Sequence, residues 1–184
     1  ITTNNKNYYD KILELRENGI VRKKNSLKKD PNFYDVKSLG YNFRINEINS
    51  SLGLSQVKKI NSFINQKNKI AKYYFKKLKD DKIILPNYKK NRLMSWHLFI
   101  IRFNLNLIKK NKEKIVRLLK KKKILVNTHY IPLHYFSYIK DKILSKSFKK
   151  AEEYYDQSIS IPIYPGLTKK NQDYVIKLIK NYIN

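Results

Sequence analysis

One long amphipathic stretch constrains the fold more than any other feature of this sequence. From Ile48 onward, apolar residues recur at helical spacing through Leu52, Val57, Ile60, Phe63, Ile64, Ile70, Tyr74 and Leu78. That spacing predicts a single long helix with one buried stripe, fraying around Asp80-Asp81. Asn46 is a good N-cap type, and Glu47 puts a carboxylate in the first turn, where the helix dipole favours it. Ahead of the helix, Gly40-Tyr41-Asn42-Phe43-Arg44-Ile45 is a polar, basic loop. It brings an amide and a guanidinium close to helix N-terminal backbone donors, a place suited to a phosphate or a carboxylate. Asn42 and Arg44 can equally serve to tie down the loop, and spacing leaves both readings open.

The remaining elements follow from period and punctuation. Ile1-Thr2-Thr3 reads as the end of a strand. Asn4 or Asn5 caps a helix from about Lys6 to Glu17, with Tyr9, Ile12, Leu13 and Arg16 inward and Asn18-Gly19 as its stop. Residues 20–39 are basic, carry the turn signal Asp30-Pro31-Asn32 and are expected to form a loop. Beyond the long helix the period changes: strands are expected at Ile83–Leu85, Trp96–Phe103, Ile124–Tyr130 and Ile159–Ile163. Helices are expected at Lys109–Lys121, Ser147–Gln157 and from Thr168 to the C-terminus. Strand, strand, helix, strand, helix, strand, helix argues an α+β arrangement, a small sheet covered by helices.

Composition excludes several function classes. The chain has 184 residues, enough for one good core or a modest domain plus part of another. It has no cysteine, which removes disulfide frameworks, cysteine zinc sites and thiol catalysis. No apolar run approaches a membrane span and no leader is visible, so a soluble, cytoplasmic protein is expected. The net charge of +27 raises the alternative of a basic nucleic-acid-binding module. Against it, lysine far outnumbers arginine and the excess is spread along every helix. The densest run, Lys120-Lys121-Lys122-Lys123, closes a helix where cations complement the dipole. The start at Ile1 looks internal, and a fragment of a longer protein is expected.

Few residues offer chemistry. His129 lies at an expected strand end beside Asn127, Thr128 and Tyr130, where polar side chains commonly line a cleft; a hydrogen-bonded histidine in a strand-to-loop turn fits as well. His97 reads as a core or interface histidine. His134, among Tyr135, Phe136 and Tyr138, reads as part of a packed aromatic loop or a stacking surface. The three histidines lack metal-ligand spacing. In the pairs Tyr8-Tyr9, Tyr73-Tyr74 and Tyr154-Tyr155, adjacent helical positions face different ways, so one tyrosine of each is expected to pack and the other to cover the surface. No glycine-rich phosphate loop and no nucleophile elbow is present.

A series of motifs in fixed order resembles the DegT/StrS family of pyridoxal-phosphate sugar-nucleotide aminotransferases. It runs from Gly40-Tyr41-Asn42-Phe43-Arg44-Ile45-Asn46-Glu47 and Ser51-Leu52-Gly53-Leu54-Ser55-Gln56 through Ser95-Trp96-His97-Leu98-Phe99. It continues in Thr128-His129-Tyr130-Ile131-Pro132, Ala151-Glu152-Glu153-Tyr154-Tyr155 and Ser158-Ile159-Ser160-Ile161-Pro162-Ile163-Tyr164-Pro165-Gly166. Leu-Gly-Leu-Ser-Gln, His-Tyr-Ile-Pro and Ile-Pro-Ile-Tyr-Pro are most similar to the branch that makes UDP-4-amino-4,6-dideoxy-N-acetyl-β-L-altrosamine on the pseudaminic acid route. Three positions depart from the family pattern: Asn127-Thr128 stands where Gln-Val is more frequent, and Lys123 where a glycine is common.

The resemblance implies an α/β protein, the C-terminal portion of aminotransferase fold type I. Residues 1–50 would end the large cofactor-binding domain and include an inter-subunit loop, and residues 51–184 would form the long helix and the small domain. It implies transfer of an amino group from glutamate to the 4-keto carbon of a UDP-linked deoxy sugar, with pyridoxal 5'-phosphate as cofactor, in a homodimer with shared active sites. Asn42 would reach the cofactor phosphate or the substrate of the partner subunit. Asn127, Thr128, His129 and Tyr130 match substrate contacts, and Arg44 would be a partner of Glu47. The Schiff-base lysine belongs upstream of Ile1. No catalytic residue is therefore assigned here, and this chain alone is expected to be inactive. A catalytically empty interaction domain remains the other alternative.

Overall fold

The computed structural model of the chain describes residues 1–21, 34–88, 91–140 and 148–184. The chain divides into two compact units, Ile1–Lys58 and Lys59–Asn184, and the division falls inside the longest helix.

In the first unit, α1 (Lys6–Arg16) is capped by Asn5, whose side-chain oxygen accepts from the backbone N–H groups of Asn7 and Tyr8. The expected stop works through left-handed backbone: φ is 61° at Asn18 and 74° at Gly19, and the Gly19 N–H returns to the Glu14 carbonyl. β1 (Ile20–Val21) pairs antiparallel with β2 (Asp35–Val36). Residues 20–39, expected to be loop, thus carry a short ladder, and the Asp30-Pro31-Asn32 turn lies outside the described residues. Ile1–Thr3, expected to end a strand, is exposed and has no strand partner among the described residues. Propensity describes fit to a sheet and does not supply one. Tyr8 and Tyr9 are both exposed, against the expectation that one would pack.

α2 (Glu47–Lys77) starts at the expected cap, with the Asn49 N–H donating to Asn46 Oδ1 at 2.8 Å. Only its last turns are buried as expected, at Ile70, Ala71 and Tyr74, followed by Leu78. Leu52, Val57 and Ile60 are exposed, and Phe63 and Ile64 are half-buried. Periodicity marks which residues share a face; whether anything covers that face is a separate matter.

The second unit holds the core. β3 (Ile83–Ile84), β4 (Phe99–Phe103) and β5 (Ser158–Ile161) form an antiparallel sheet in the order β3-β4-β5. Phe99 pairs with Ile161 and Ile101 with Ile159. β4 alternates strictly, burying Phe99, Ile101 and Phe103. These side chains cluster with Ile115 and Leu119 of α3 (Lys112–Lys121) and with Val175, Ile176, Ile179 and Ile183 of α6 (Lys169–Ile183). Asn111 caps α3 and Thr168 caps α6, each accepting a backbone N–H three residues on. A 3-10 turn (Leu133–Tyr135), α4 (Ser137–Lys140) and α5 (Lys149–Gln157) lie between α3 and β5.

Two expectations of strand length are corrected. β4 begins at Phe99, three residues after Trp96. Ile124–Tyr130 is not a strand: Ile124 and Val126 are buried around an exposed Leu125, so the alternation survives, but the backbone pairs at a single bridge, Asn127 to Ser160. Lys123, where the resemblance marks a common glycine, has φ 59°, the left-handed region that favours glycine.

Candidate functional site

The two expected contact regions belong to different units. In the first, residues 41–43 are fastened to the end of α1. The Tyr41 N–H donates to the Leu15 carbonyl at 2.6 Å, the Asn18 N–H to the Tyr41 carbonyl at 2.9 Å, and the Phe43 N–H to the Arg16 carbonyl at 3.1 Å. Asn42 sits between these bonds as an isolated antiparallel bridge to Glu17. Its side chain is exposed and takes no hydrogen bond among the described residues. Arg44 behaves otherwise: its Nε and Nη2 lie 2.9 and 2.8 Å from Glu17 Oε2. The expected Glu47 pairing is thus corrected, because Glu17 reaches Arg44 from the end of α1 while Glu47 stands in the first turn of α2. The two polar side chains of the loop divide the two readings between them. Arg44 fastens the loop, and Asn42 keeps an amide with no partner among the described residues.

In the second unit, Asn127 and His129 meet at Ser160 of β5. Asn127 and Ser160 exchange backbone hydrogen bonds of 3.3 and 2.8 Å. The Ser160 hydroxyl also donates to the Asn127 carbonyl at 3.3 Å. His129 is 8% exposed, and its Nε2 lies 2.7 Å from Ser160 Oγ, whereas its Nδ1 is buried without a partner among the described residues. Burial, and after it the charge of His97, pushes the His129 pKa below its usual value. The half-buried Thr128 gives its N–H to Asn127 Oδ1, and the exposed Tyr130 sets its ring 4.6 Å from that of His129, nearly edge-on.

His97 departs from the expectation of a core histidine inside a strand, while its exposure leaves the interface reading open. It is exposed and precedes β4, and with Asn127, Lys120 and Ser160 it lines a cleft of about 390 Å³. His134 is buried, with Nε2 2.8 Å from Glu152 Oε1 and its ring against Tyr135 and Phe148. Ser160, which joins Asn127 and His129, is the residue of this cluster that sequence reasoning did not single out. Its one signal is the alternation Ser158-Ile159-Ser160-Ile161, which sets a hydroxyl on the face opposite the two isoleucines. Among the described residues no group of three histidine or carboxylate side chains can hold a metal, and no helix is long and apolar enough to cross a membrane.

A small antiparallel sheet covered by helices, approached through a long helix, with a polar cluster where the chain crosses β5, is the architecture of the C-terminal portion of aminotransferase fold type I. The chain belongs to the DegT/DnrJ/EryC1/StrS aminotransferase family, whose pattern matches residues 1–180. It is 31% identical over its whole length to the uncharacterized protein MJ1066 of Methanocaldococcus jannaschii, covering 49% of it. It is 32% identical to a UDP-4-amino-4,6-dideoxy-N-acetyl-beta-L-altrosamine transaminase of Helicobacter pylori, over 91% of this chain and 43% of that protein. Its structure matches that of Helicobacter pylori PseC, an aminotransferase involved in the biosynthesis of pseudoaminic acid, with a TM-score of 0.83 and 28% identity. That match covers 98% of this chain and 47% of PseC. The fold alone is shared with the pyridoxal-phosphate form of a putative sugar aminotransferase of Streptococcus pneumoniae, at TM-score 0.79 and 22% identity. The chain spans about half the length of the curated relatives it matches. Aminotransferases of this family use pyridoxal phosphate.

Proposed function

We propose that this chain is the C-terminal part of a sugar-nucleotide aminotransferase that moves an amino group from glutamate to the 4-keto carbon of a UDP-linked deoxy sugar, in the cytoplasm. The observation that carries this reading is the end-to-end family match, joined by 32% identity to a transaminase of that substrate class. Residues 1–50 close the cofactor-binding domain, residues 51–184 make the long helix and small domain, and two copies share their active sites. The exposed Ile48, Leu52 and Val57 at the start of α2 support an interface there.

The residues present fit the cofactor. The free Asn42 amide is a donor suited to a phosphate oxygen, and its backbone is held on both sides by the end of α1. Bound pyridoxal phosphate supplies the electron sink and carries the amino group. Asn127, Thr128, His129 and Tyr130 hold the sugar, with His129 neutral because its environment disfavours the charged ring. Lys112 is the buried lysine among the described residues, and its ammonium is engaged by the Tyr155 carbonyl and ring, so it does not serve as the cofactor lysine. That lysine is assigned outside this chain, which is therefore inactive alone.

The test is 2-oxoglutarate release by the full-length gene product carrying this chain, given pyridoxal phosphate, glutamate and a UDP-4-keto-6-deoxy sugar. Release that needs both substrates is expected, and none from the 184-residue chain by itself. No release from the full-length protein, or tight stoichiometric uptake of pyridoxal phosphate by this chain alone, overturns the reading.

A further inference from the structure

We infer that Ser160 is a positioning residue: it holds His129 as the neutral Nε2–H tautomer, leaving Nδ1 as an acceptor for a hydroxyl or N–H group of the sugar and closing this cluster to anions. The ligand part rests on the sugar-nucleotide reading above. The tautomer does not.

The argument turns on one proton. A serine hydroxyl has a single hydrogen and two lone pairs. Ser160 Oγ donates to the Asn127 carbonyl at 3.3 Å, and the same carbonyl receives the Ser160 N–H at 2.8 Å, which fixes the backbone around it. A hydroxyl proton spent on that carbonyl leaves Oγ only lone pairs for the imidazole, and the 2.7 Å contact to His129 Nε2 then places the hydrogen on Nε2, the assignment that ring-nitrogen NMR decides. A neutral ring protonated at Nε2 has a bare lone pair at Nδ1, and Nδ1 is the atom left buried and unpartnered. An unpaired acceptor enclosed in protein is costly, and a donor relieves it. A phosphate or carboxylate oxygen at that position would set lone pair against lone pair, so the chemistry accepted is that of sugar hydroxyls and acetamido N–H groups. The exposed ring of Tyr130 stands 4.6 Å from that of His129, on a side of the cluster open to solvent.

The first test is nitrogen NMR of the histidine rings in this chain. A protonated Nε2 and an unprotonated Nδ1 are expected for His129. The single tautomer is expected to persist in Ser160→Thr, which keeps the hydroxyl, and to give way to a mixture in Ser160→Ala. A protonated Nδ1 in the unsubstituted chain, or an unchanged tautomer in Ser160→Ala, overturns the positioning role. The second test measures binding of UDP-N-acetylglucosamine and of UDP to the full-length protein. Ser160→Ala is expected to weaken the sugar nucleotide about 3- to 10-fold, as for one neutral hydrogen bond, and to leave UDP unchanged. Equal weakening of both overturns the ligand assignment. Failure of the unsubstituted full-length protein to bind UDP-N-acetylglucosamine, with the His129 tautomer as described, overturns the substrate reading and the ligand assignment while the role of Ser160 toward His129 stands.

Discussion

Replacing Gly40 by alanine adds one methyl group where two backbone segments leave no room for it. A Cβ at Gly40 would lie 2.2 Å from the Gly19 nitrogen, 2.6 Å from the Asn18 carbonyl carbon and 2.9 Å from the Leu15 oxygen. Normal van der Waals contact requires the segments to part by roughly 1 Å. The bonds that fasten residues 41–43 to α1 span 2.6, 2.9 and 3.1 Å. Lengthened by that amount they leave the hydrogen-bonding range, and at about 0.5–1.5 kcal/mol each the loss is about 1.5–4.5 kcal/mol. The assay is amide hydrogen exchange at Asn18, Tyr41 and Phe43, where protection is expected to fall about 10- to 1000-fold. Gly53→Ala is the control, since a Cβ there meets nothing within 4 Å and the position is an exposed one in α2. It is expected to stabilise by about 0.5–1 kcal/mol. Unchanged protection in Gly40→Ala, or the same sign of effect in both variants, refutes the reasoning.

Tyr74 is fully buried, with its hydroxyl donating to the Pro162 carbonyl at 2.9 Å, so Tyr74→Phe is expected to cost about 0.5–1.5 kcal/mol in urea unfolding. Burial raises its phenol pKa, so alkaline difference spectra should show it titrating only with unfolding. At Lys123, with φ 59°, substitution by glycine removes backbone strain and is expected to stabilise by about 1 kcal/mol in the same assay. The His129 pKa is depressed below the ordinary 6.5, so between the folded value and 6.5 the unfolded chain binds the proton and the folded chain does not. Its contribution to stability is full above pH 6.5 and is lost as pH falls through the folded pKa. Unfolding midpoints of the wild type and His129→Asn, compared across that window, should converge toward acid; parallel curves would count against the burial argument.

The parts of the fold that were legible carry their own local instructions. α1, α3 and α6 begin at side-chain caps three residues or fewer from the groups they satisfy, so a short window of sequence contains the whole interaction. The first half of α2 misled because its stripe is as periodic as the second half, while burial depends on residues elsewhere in the chain. The same distinction divides the candidate site. Arg44 and Asn42 are two positions apart, yet one pairs with Glu17, 27 residues away in sequence, and the other pairs with nothing among the described residues. Ser160 escaped notice because its partner His129 is 31 positions away, and the alternation in β5 does not say what the serine hydroxyl touches.

The motif residues then separate by physical role. Gly40 is required because its missing side chain lets residues 38–41 lie against Gly19 and the end of α1, where any other residue would collide with backbone. Asn46 is required as a cap, and Arg44 as the clamp on Glu17. Asn42 has no such duty: its main chain is locked by the bonds on either side while its amide stays exposed. The glycine contact and the backbone bonds fix where the Asn42 main chain stands, and with it the reach of its amide. On the proposed role of Asn42, loosening Gly40 is expected to weaken pyridoxal phosphate uptake by the full-length protein without altering the Asn42 side chain itself; unchanged uptake would count against that role.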